Sequence, residues 1–253
     1  MYQTLLVNQT SGILTATLNR PEKKNSINNA MLDDIHAMLD VAEADPSIRL
    51  VVIKGRDGFF CTGMDFEEES AENTGHSRSG NSNRYMETLR RFTLSPKIIV
   101  AQVEGTAMAG GIGLVTCADL VIATPASQFS LSEALWGLLP ACVTPYLIRR
   151  IGWQRAYHMT LTTLPISGQA ALEAHLVDEL TEKPEQNLRR LWLRLKRLDE
   201  RTIADLKAYF RKMWIIDDQM EGNAVAEIAR LRNDPRVHAN IQNFVNHGRF
   251  PWD

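Results

Sequence analysis

Cysteine, charge of one sign and metal-ligand motifs are all scarce in this chain of 253 residues. Its three cysteines, Cys61, Cys117 and Cys142, are an odd number without Cys-x-x-Cys spacing, which argues against a disulfide framework or a zinc site. The 28 Lys and Arg residues nearly balance the 30 Asp and Glu residues, so the basic excess of a nucleic-acid binder is missing. The six histidines show no metal-ligand spacing, and we expect no metal.

Long apolar segments are also missing. The longest apolar runs are short, such as IIVAQV at 98–103, whereas a membrane-spanning helix needs about 20 apolar residues. The opening MYQTLLVNQTSG lacks the basic region and apolar run of a secretory signal. We therefore expect a cytoplasmic protein that neither is secreted nor associates with a membrane.

The pattern of apolar residues predicts an α/β core followed by helices. An amphipathic stretch from Asn28 to Glu43 predicts a helix. Short β-rich runs precede and follow it, at 12–18, 50–54, 98–105 and 119–124. This alternation favours buried, largely parallel strands. The Leu- and Arg-rich remainder has helical spacing, so we expect a core over 1–184 and a C-terminal helical region over 185–253.

Residues 67–84, EEESAENTGHSRSGNSNR, are rich in Ser, Asn, Gly and charge and poor in apolar side chains. This composition predicts a mobile loop between the strand and helix cycles. Two interpretations remain open, because a long loop in a compact domain is either a passive solvated insertion or a lid over a site.

Three further segments depart from what a core alone requires, namely FFCTGMDF at 59–66, VEGTAMAGGIGL at 103–114 and FSLSEALWGLLP at 129–140. The glycines of the second let backbone N–H groups approach a ligand at a helix N-terminus, but neither a dinucleotide nor a P-loop fingerprint is present. In the third, Glu133 has apolar neighbours, so it is paired, raised in pKa or turned to solvent. Alternatively, it caps a short helix beginning at Ser130 or Ser132.

In their order along the chain, these segments resemble the crotonase (enoyl-CoA hydratase/isomerase) superfamily. The resemblance also includes LNRPEKKNSIN at 18–28 and CADLVIAT at 117–124, and it covers nearly the whole chain. It implies an α/β spiral of ββα turns in which the core over 1–184 carries the acyl-thioester site. It also implies a C-terminal helical region and assembly as homotrimers or dimers of trimers.

The resemblance assigns roles to individual positions. Met64 and Gly110 match the two backbone N–H donors of an oxyanion hole, which stabilise charge on a thioester oxygen and are worth ~3 kcal/mol each. The family's hydratases use two glutamates, and Glu133 matches the second of these. Gly113 stands at the position of the first, so a two-carboxylate addition of water is not expected. A single carboxylate can still perform a syn elimination or an isomerisation.

Three parts of the sequence are similar to the dehydratases of polyketide β-branching cassettes. They are FSLSEALWGLLPACVTPYLIRRIGWQRAYHMTLTTLPIS at 129–167, the CTGMDF turn at 61–66 and GRFPWD at 248–253. That resemblance implies removal of water from 3-hydroxy-3-methylglutaryl-ACP to give 3-methylglutaconyl-ACP. The partner would be the acyl carrier protein that bears the substrate. No cofactor is expected, because phosphopantetheine is part of the acyl-ACP or acyl-CoA substrate.

Four more residues receive roles with open alternatives. Asp65 is a second acid or water-orienting group, or a turn cap. Tyr85 or Arg84 binds the free carboxylate of the substrate, or Arg84 lies with Arg90 and Arg91 on the wet face of a helix. Lys24, with Lys23 beside it, faces the phosphates of the substrate, or is a plain loop lysine.

Two other functions remain open at this stage. One is an enoyl-CoA hydratase or isomerase of fatty-acid type, and the other is a catalytically silent module that binds an acyl carrier. A cysteine nucleophile is not expected, because Cys61 has no paired base and fits a small buried residue. RNA binding is disfavoured by the slightly acidic charge balance.

Overall fold

The computed structural model describes residues 2–71, 80–214 and 216–253. Within them the strands are β1 (Leu5–Thr10), β2 (Ile13–Leu18), β3 (Leu50–Lys54), β4 (Phe59–Cys61), β5 (Ile98–Val103), β6 (Thr106–Met108), β7 (Leu120–Ala123), β8 (Gln128–Ser130), β9 (Ile166–Ser167) and β10 (Glu179–Leu180). They form a six-stranded sheet of order β1-β2-β3-β5-β7-β10 and a four-stranded sheet of order β4-β6-β8-β9.

The helices are α1 (Asn29–Ala44), α2 (Phe66–Ala71), α3 (Gly80–Leu94), α4 (Gly110–Cys117), α5 (Thr144–Ile151), α6 (Trp153–Thr162), α7 (Gly168–Glu173), α8 (Pro184–Leu195), α9 (Glu200–Arg211), α10 (Asp218–Arg232) and α11 (Pro235–His247). Short 3-10 helices cover Pro21–Lys23 and Glu133–Trp136. Among the described residues, none of the helices combines the length and apolar character needed to cross a membrane.

Strand order makes the chain a spiral. The consecutive pairs β3 and β4, β5 and β6, and β7 and β8 each add one strand to the large sheet and one to the small sheet. Neighbouring strands contributed by successive turns are parallel in both sheets. Helical segments follow each pair, so the chain repeats a ββα turn. This confirms the predicted α/β spiral with a C-terminal helical region.

The large sheet is covered on both faces, because successive side chains of a strand point to opposite sides. Val51 of β3 belongs to the main core, which includes α1 and α3. Its neighbour Val52 belongs to a second cluster with Leu188 of α8 and Ile203 of α9. Burial on both faces accounts for the nearly continuous apolar sequence of β3 and β5.

The N-terminus of α1 is fixed by Asn28, as the sequence pattern predicts. Asn28 has extended backbone, and its side-chain oxygen accepts a hydrogen bond from the N–H of Met31 at 2.9 Å. Such a cap satisfies one of the backbone donors left over at the start of a helix. The helix then buries one face, which includes Ile35 and Leu39.

The predicted loop over 67–84 is wrong at both ends. Helix α2 extends through residue 71, and α3 begins at residue 80. Residues 72–79, the middle of that predicted loop, lie outside the described residues. The apolar face of α3 begins only at Tyr85 and Met86, so the polar first turn gave no periodic signal in the sequence.

Candidate active site

The turn after β4 presents the backbone of Met64 to a cavity. The N–H of Ile27 donates to the oxygen of Gly63 at 2.7 Å, and the N–H of Asp65 donates to the oxygen of Ile27 at 2.9 Å. These bonds flank Met64 in a parallel bridge, so its own N–H points away from Ile27. Across the described part of the chain, the N–H of Met64 has no hydrogen-bond acceptor.

The start of α4 packs directly against this turn. Gly63 has φ of +91°, and a Cβ placed on it would lie 2.7 Å from the Cβ of Ala109 and 3.2 Å from the nitrogen of Gly110. Only glycine at position 63 allows so close an approach. Gly110 is the first residue of α4, where backbone N–H groups have no partner within the helix.

Met64 and Gly110 both line a cavity of about 630 Å³ between the two sheets' connecting segments and the C-terminal helices. Two backbone donors on adjacent turns of one cavity wall suit a thioester oxygen that gains negative charge. An oxyanion hole requires two such donors on one wall of a cavity. The role of Met64 and Gly110 as that oxyanion hole stays a prediction.

Glu133 enters the same cavity from the first position of a 3-10 helix. Its Oε2 atom is shielded from solvent and has no hydrogen-bond partner among the residues that the structure describes. Burial raises the pKa of Glu133 to about 7, against a smaller opposing effect of its own backbone N–H and that of Ser132. The side chain of Ser132 makes no capping bond. A carboxyl group with this pKa can take and return a proton near neutral pH.

The phenol of Tyr85 fills the space beside Gly113, the residue that matches the first glutamate of the family's hydratases. A Cβ placed on Gly113 would lie 2.0 Å from the hydroxyl oxygen of Tyr85 and 3.2 Å from Cγ2 of Val143. The Tyr85 hydroxyl donates to the backbone oxygen of Gly110 at 2.5 Å. Burial raises the pKa of Tyr85 well above its usual value, so the phenol keeps its proton. There is no room for a carboxylate at position 113.

Asp65 lines the cavity, but its carboxylate is held by other groups. Oδ2 accepts a hydrogen bond from Arg20 at 2.8 Å, and Oδ1 accepts the backbone N–H groups of Glu67 and Glu68 at 3.2 and 3.4 Å. Burial alone would raise the pKa of Asp65, but the hydrogen bonds from Arg20 and Glu68 and the charge of Arg20 lower it. These contacts fit the alternative that Asp65 caps the turn. A catalytic role of Asp65 stays a prediction.

The predicted substrate-binding residues fall into two groups. Tyr85 and Lys24 line the cavity, and the Lys24 Nζ lies 5.6 Å from the ring centroid of Phe59. Arg84 does not line it. Its guanidinium donates to Asp33 at 2.9 Å and to Glu87 at 3.2 Å on the outer side of α3. Of the two alternatives for Arg84, the structure agrees with the wet face of a helix. Arg84 faces solvent because an apolar face one residue away, at Tyr85, sets the orientation of the helix.

Residues of the C-terminal helices also line the cavity, although the sequence gave no sign of it. Arg232 of α10 lies in its wall and donates a hydrogen bond to the Oγ of Ser82 at 3.2 Å. Trp136, three residues after Glu133, packs edge-on against Phe66 and Phe244, with ring centroids 5.2 and 5.1 Å apart. These contacts fix the 3-10 helix that carries Glu133.

No group of three or more His, Cys, Asp or Glu side chains is arranged to hold a metal ion within 2–71, 80–214 and 216–253. The three cysteines are buried and unbridged. Burial raises the pKa of the Cys61 thiol to about 12, which leaves it protonated and unreactive at neutral pH.

Comparison with known proteins identifies the family of this chain. The profile of the enoyl-CoA hydratase/isomerase family matches residues 8–252. The bacillaene synthase dehydratase PksH of Bacillus subtilis (strain 168) is 34% identical over 253 residues, covering 100% of this chain and 97% of that protein. The 2,3-dehydroadipyl-CoA hydratase of Escherichia coli (strain K12) is 33% identical over 177 residues, covering 70% of this chain and 68% of that protein.

Solved structures share the fold. The crystal structure of PksH from Bacillus subtilis has a TM-score of 0.93 at 34% identity and covers 99% of this chain and 100% of that one. Pseudomonas aeruginosa AtuE has a TM-score of 0.80 at 29% identity, covering 96% and 97%. The chain therefore belongs to the enoyl-CoA hydratase/isomerase (crotonase) family and is an enzyme of the hydratase and dehydratase type.

Proposed function

We propose that the enzyme removes water from 3-hydroxy-3-methylglutaryl-ACP and forms 3-methylglutaconyl-ACP during polyketide β-branching. The observation that carries this proposal is the pairing of one proton-exchanging carboxyl group with two backbone donors. Glu133 faces the cavity that Met64 and Gly110 line, while Tyr85 excludes a second carboxylate from position 113. Similarity over the full chain to PksH, which is named a dehydratase, supports the reaction class.

The thioester oxygen of the substrate would accept hydrogen bonds from the N–H groups of Met64 and Gly110. These bonds acidify the α-carbon, because they stabilise the enolate that forms when its proton leaves. The Glu133 carboxylate takes that proton. As the C–O bond at C3 breaks, the new carboxylic acid gives the proton to the departing hydroxyl group. One water leaves, a C=C bond forms between C2 and C3, and Glu133 is again a carboxylate.

A single carboxyl group suffices for this elimination because the same proton moves from carbon to oxygen on one face of the substrate. Hydration of the product is the reverse of this step and would use the same groups. Tyr85 already donates its hydroxyl proton to Gly110, so its oxygen remains only as an acceptor toward the departing water. The hydroxyl group at C3 is tertiary, and it leaves readily as water once it is protonated.

Other residues would hold the substrate and the site in position. Lys24 and Lys23 line the cavity on the side of Phe59, where their charge suits the phosphate of phosphopantetheine. Lys23 is anchored there by an ion pair with Glu67. Asp65 would act as a positioning residue, because its backbone and side chain fix the turn next to Met64. The reaction uses no metal and no cofactor beyond the phosphopantetheine of the substrate, and we propose a homotrimer or a dimer of trimers in solution.

The test is incubation of the enzyme with a carrier protein loaded with 3-hydroxy-3-methylglutaryl-phosphopantetheine, followed by intact-mass measurement. We expect the acyl carrier to lose the mass of one water. The same acyl group on CoA should react with a lower kcat/KM, because the carrier's docking contacts are missing. No loss of water from either form, with folded enzyme, would contradict the proposal.

A second candidate is hydration or isomerisation of a simple enoyl-CoA, which the similarity to 2,3-dehydroadipyl-CoA hydratase favours. Crotonyl-CoA and a 3-enoyl-CoA serve as the comparison substrates. Conversion of these, with no change in the loaded carrier, would replace the proposed reaction with a fatty-acid-type activity and keep the family assignment.

A further inference from the structure

A further cavity, here called the α9 cavity, has a volume of about 370 Å³ and lies between the large sheet and α9. Ile98 of β5 and Leu120 of β7 line it from the sheet, and Ile203, Leu206 and Phe210 line it from α9. Across the residues that the structure describes, none lines both this cavity and the candidate active site. Its volume is within the range of small-molecule sites, and the proposed reaction makes no use of it.

The α9 cavity has an apolar wall that opens to solvent. Leu195 and Leu198 add to the apolar lining that α9 provides. Leu206 is 58% exposed and Phe210 is 56% exposed, although both side chains line the cavity. An aliphatic chain can therefore enter along α9, and its burial there is favourable because apolar surface leaves water.

The charged side chains that line the α9 cavity are paired, with one exception. Lys207 Nζ lies 2.7 Å from the carboxylate of Asp119, and Arg150 pairs with Asp178. Arg149 also lines the cavity, and it forms no ion pair with any of the described residues. Its positive charge is the one that these pairs leave without a carboxylate.

The guanidinium of Arg149 is held in place while most of its donors stay free. Nη2 donates to the backbone oxygen of Thr116 at 2.6 Å, and the guanidinium carbon lies 4.2 Å from the ring centroid of Trp214. Nε is shielded from solvent and has no hydrogen-bond partner within the described part of the chain. A guanidinium carries five N–H donors, and stacking on a ring satisfies its face but none of those donors.

An anion would relieve this arrangement. A charge removed from water is unfavourable unless it is paired, and burial, with the nearby charge of Arg150, lowers the pKa of Arg149. One unpaired positive charge calls for a single negative charge, and Asp119 in the same wall would repel a dianion such as phosphate. A carboxylate carries one charge, and its two oxygens match the planar donors of a guanidinium.

We propose that the α9 cavity is a second binding site, which takes a small aliphatic carboxylate. The carboxylate lies on Arg149, and the chain lies along the apolar wall that Leu206 and Phe210 form. The site is separate from the acyl-thioester site, so this inference and the proposed function can fail independently of each other.

The test is calorimetry of the full chain with octanoate and with 1-octanol, which has the same chain length and no charge. We expect wild type to bind octanoate at least about tenfold more tightly, the scale of one charge-assisted hydrogen bond. Arg149→Gln should weaken octanoate binding by about 10- to 100-fold and change the affinity for 1-octanol by less than about threefold. Arg201→Gln is the matched control, because Arg201 is exposed on α9, and it should leave both affinities unchanged.

A second pair of variants keeps the test valid if Arg149→Gln does not fold. Leu206 is exposed, so Leu206→Glu and Leu206→Gln should both fold, as circular dichroism can check. The two side chains have nearly the same size and differ in charge. Octanoate should bind Leu206→Glu about threefold more weakly than Leu206→Gln, a modest effect because the position is partly screened by water. The affinity for 1-octanol should be the same in both.

Three results would overturn the inference. The first is equal affinity of wild type for the two ligands, or no binding of octanoate. The second is loss of octanoate binding in Lys24→Gln, which would place the ligand in the candidate active site. The third is a smaller assembly of Leu206→Glu in sedimentation, together with no octanoate binding by wild type, which would mean that a second copy of the chain covers the α9 cavity.

Discussion

The hydroxyl oxygen of Tyr85 occupies the space that any side chain at Gly113 would need. A Cβ on Gly113 would lie 2.0 Å from that oxygen, and the next atom of the ring, Cζ, would be at 3.1 Å. The two positions belong to α3 and α4, and the hydroxyl group is held by its bond to Gly110. The phenol and a carboxylate at position 113 are therefore mutually exclusive in this site.

This relationship predicts a coupling between the two positions. Gly113→Ala should lower the free energy of unfolding by about 1 to 3 kcal/mol, the usual penalty for overpacking a core. In a Tyr85→Phe background the oxygen is gone, and only small adjustments remain. There the cost should largely vanish, since alanine is favoured over glycine inside a helix by roughly 1 kcal/mol.

Urea unfolding of the wild type, both single variants and the double variant measures this coupling. The same loss of stability for Gly113→Ala in both backgrounds would mean that the side chains do not compete. The circular dichroism of each variant serves as the control for intact fold.

The pH dependence of activity follows from Glu133. Burial raises the pKa of Glu133 from 4.5 to about 7, and only the carboxylate form can remove the α-proton. Log kcat/KM should therefore increase with pH up to about 7 and then level off. Measurement from about pH 5.5 to about pH 8.5 on the carrier-bound substrate tests this, and a flat profile across that range would assign the proton transfer to another group.

Much of the fold follows from local sequence, and the reasons are physical. The amphipathic stretch that begins at Asn28 predicts α1, because its apolar side chains recur on the buried face of the helix. The apolar runs of β3 and β5 predict buried strands because both faces of the large sheet are covered. The glycine-rich start of α4 predicts a ligand site because a close backbone approach needs a missing side chain.

The remaining site residues depend on contacts between distant parts of the chain. Arg232 belongs to a helix whose charged residues predict a solvent-exposed face. Only the packing of α10 beside α3 brings Arg232 to Ser82. Tyr85 meets Gly113 because α3 packs beside α4. The ion pair of Asp65 joins it to Arg20, 45 residues earlier. No periodicity within one segment encodes such pairs, so the sequence could place Asp65 in a turn but not reveal its partner.

The role of Asp65 can be separated from that of Glu133. Asp65→Asn removes the negative charge of the buried ion pair with Arg20, so stability should fall by about 3 kcal/mol. Activity should fall because the turn that holds Met64 is less firmly fixed. The shape of the pH profile should stay as in wild type. Parallel pH profiles and melting curves check both points.

Asp199→Asn is the matched control, because Asp199 caps α9 with an N–H from Thr202 and is exposed. It should cost only about 0.3 kcal/mol, because asparagine caps a helix about as well as aspartate, and it should leave activity unchanged. Loss of a limb of the pH profile in Asp65→Asn would instead make Asp65 an acid or base of the reaction.

Glu133 moves the proton in the proposed dehydration, and one side-by-side measurement of three proteins tests this role. Wild-type enzyme, Glu133→Gln and the control Glu173→Gln, an exposed position on α7, are each incubated with the 3-hydroxy-3-methylglutaryl carrier. The initial rate of water loss is followed by intact mass. We expect wild type and Glu173→Gln to react alike and Glu133→Gln to be at least ~100-fold slower, the usual scale of general acid–base catalysis. Equal rates for Glu133→Gln and wild type would contradict the claim.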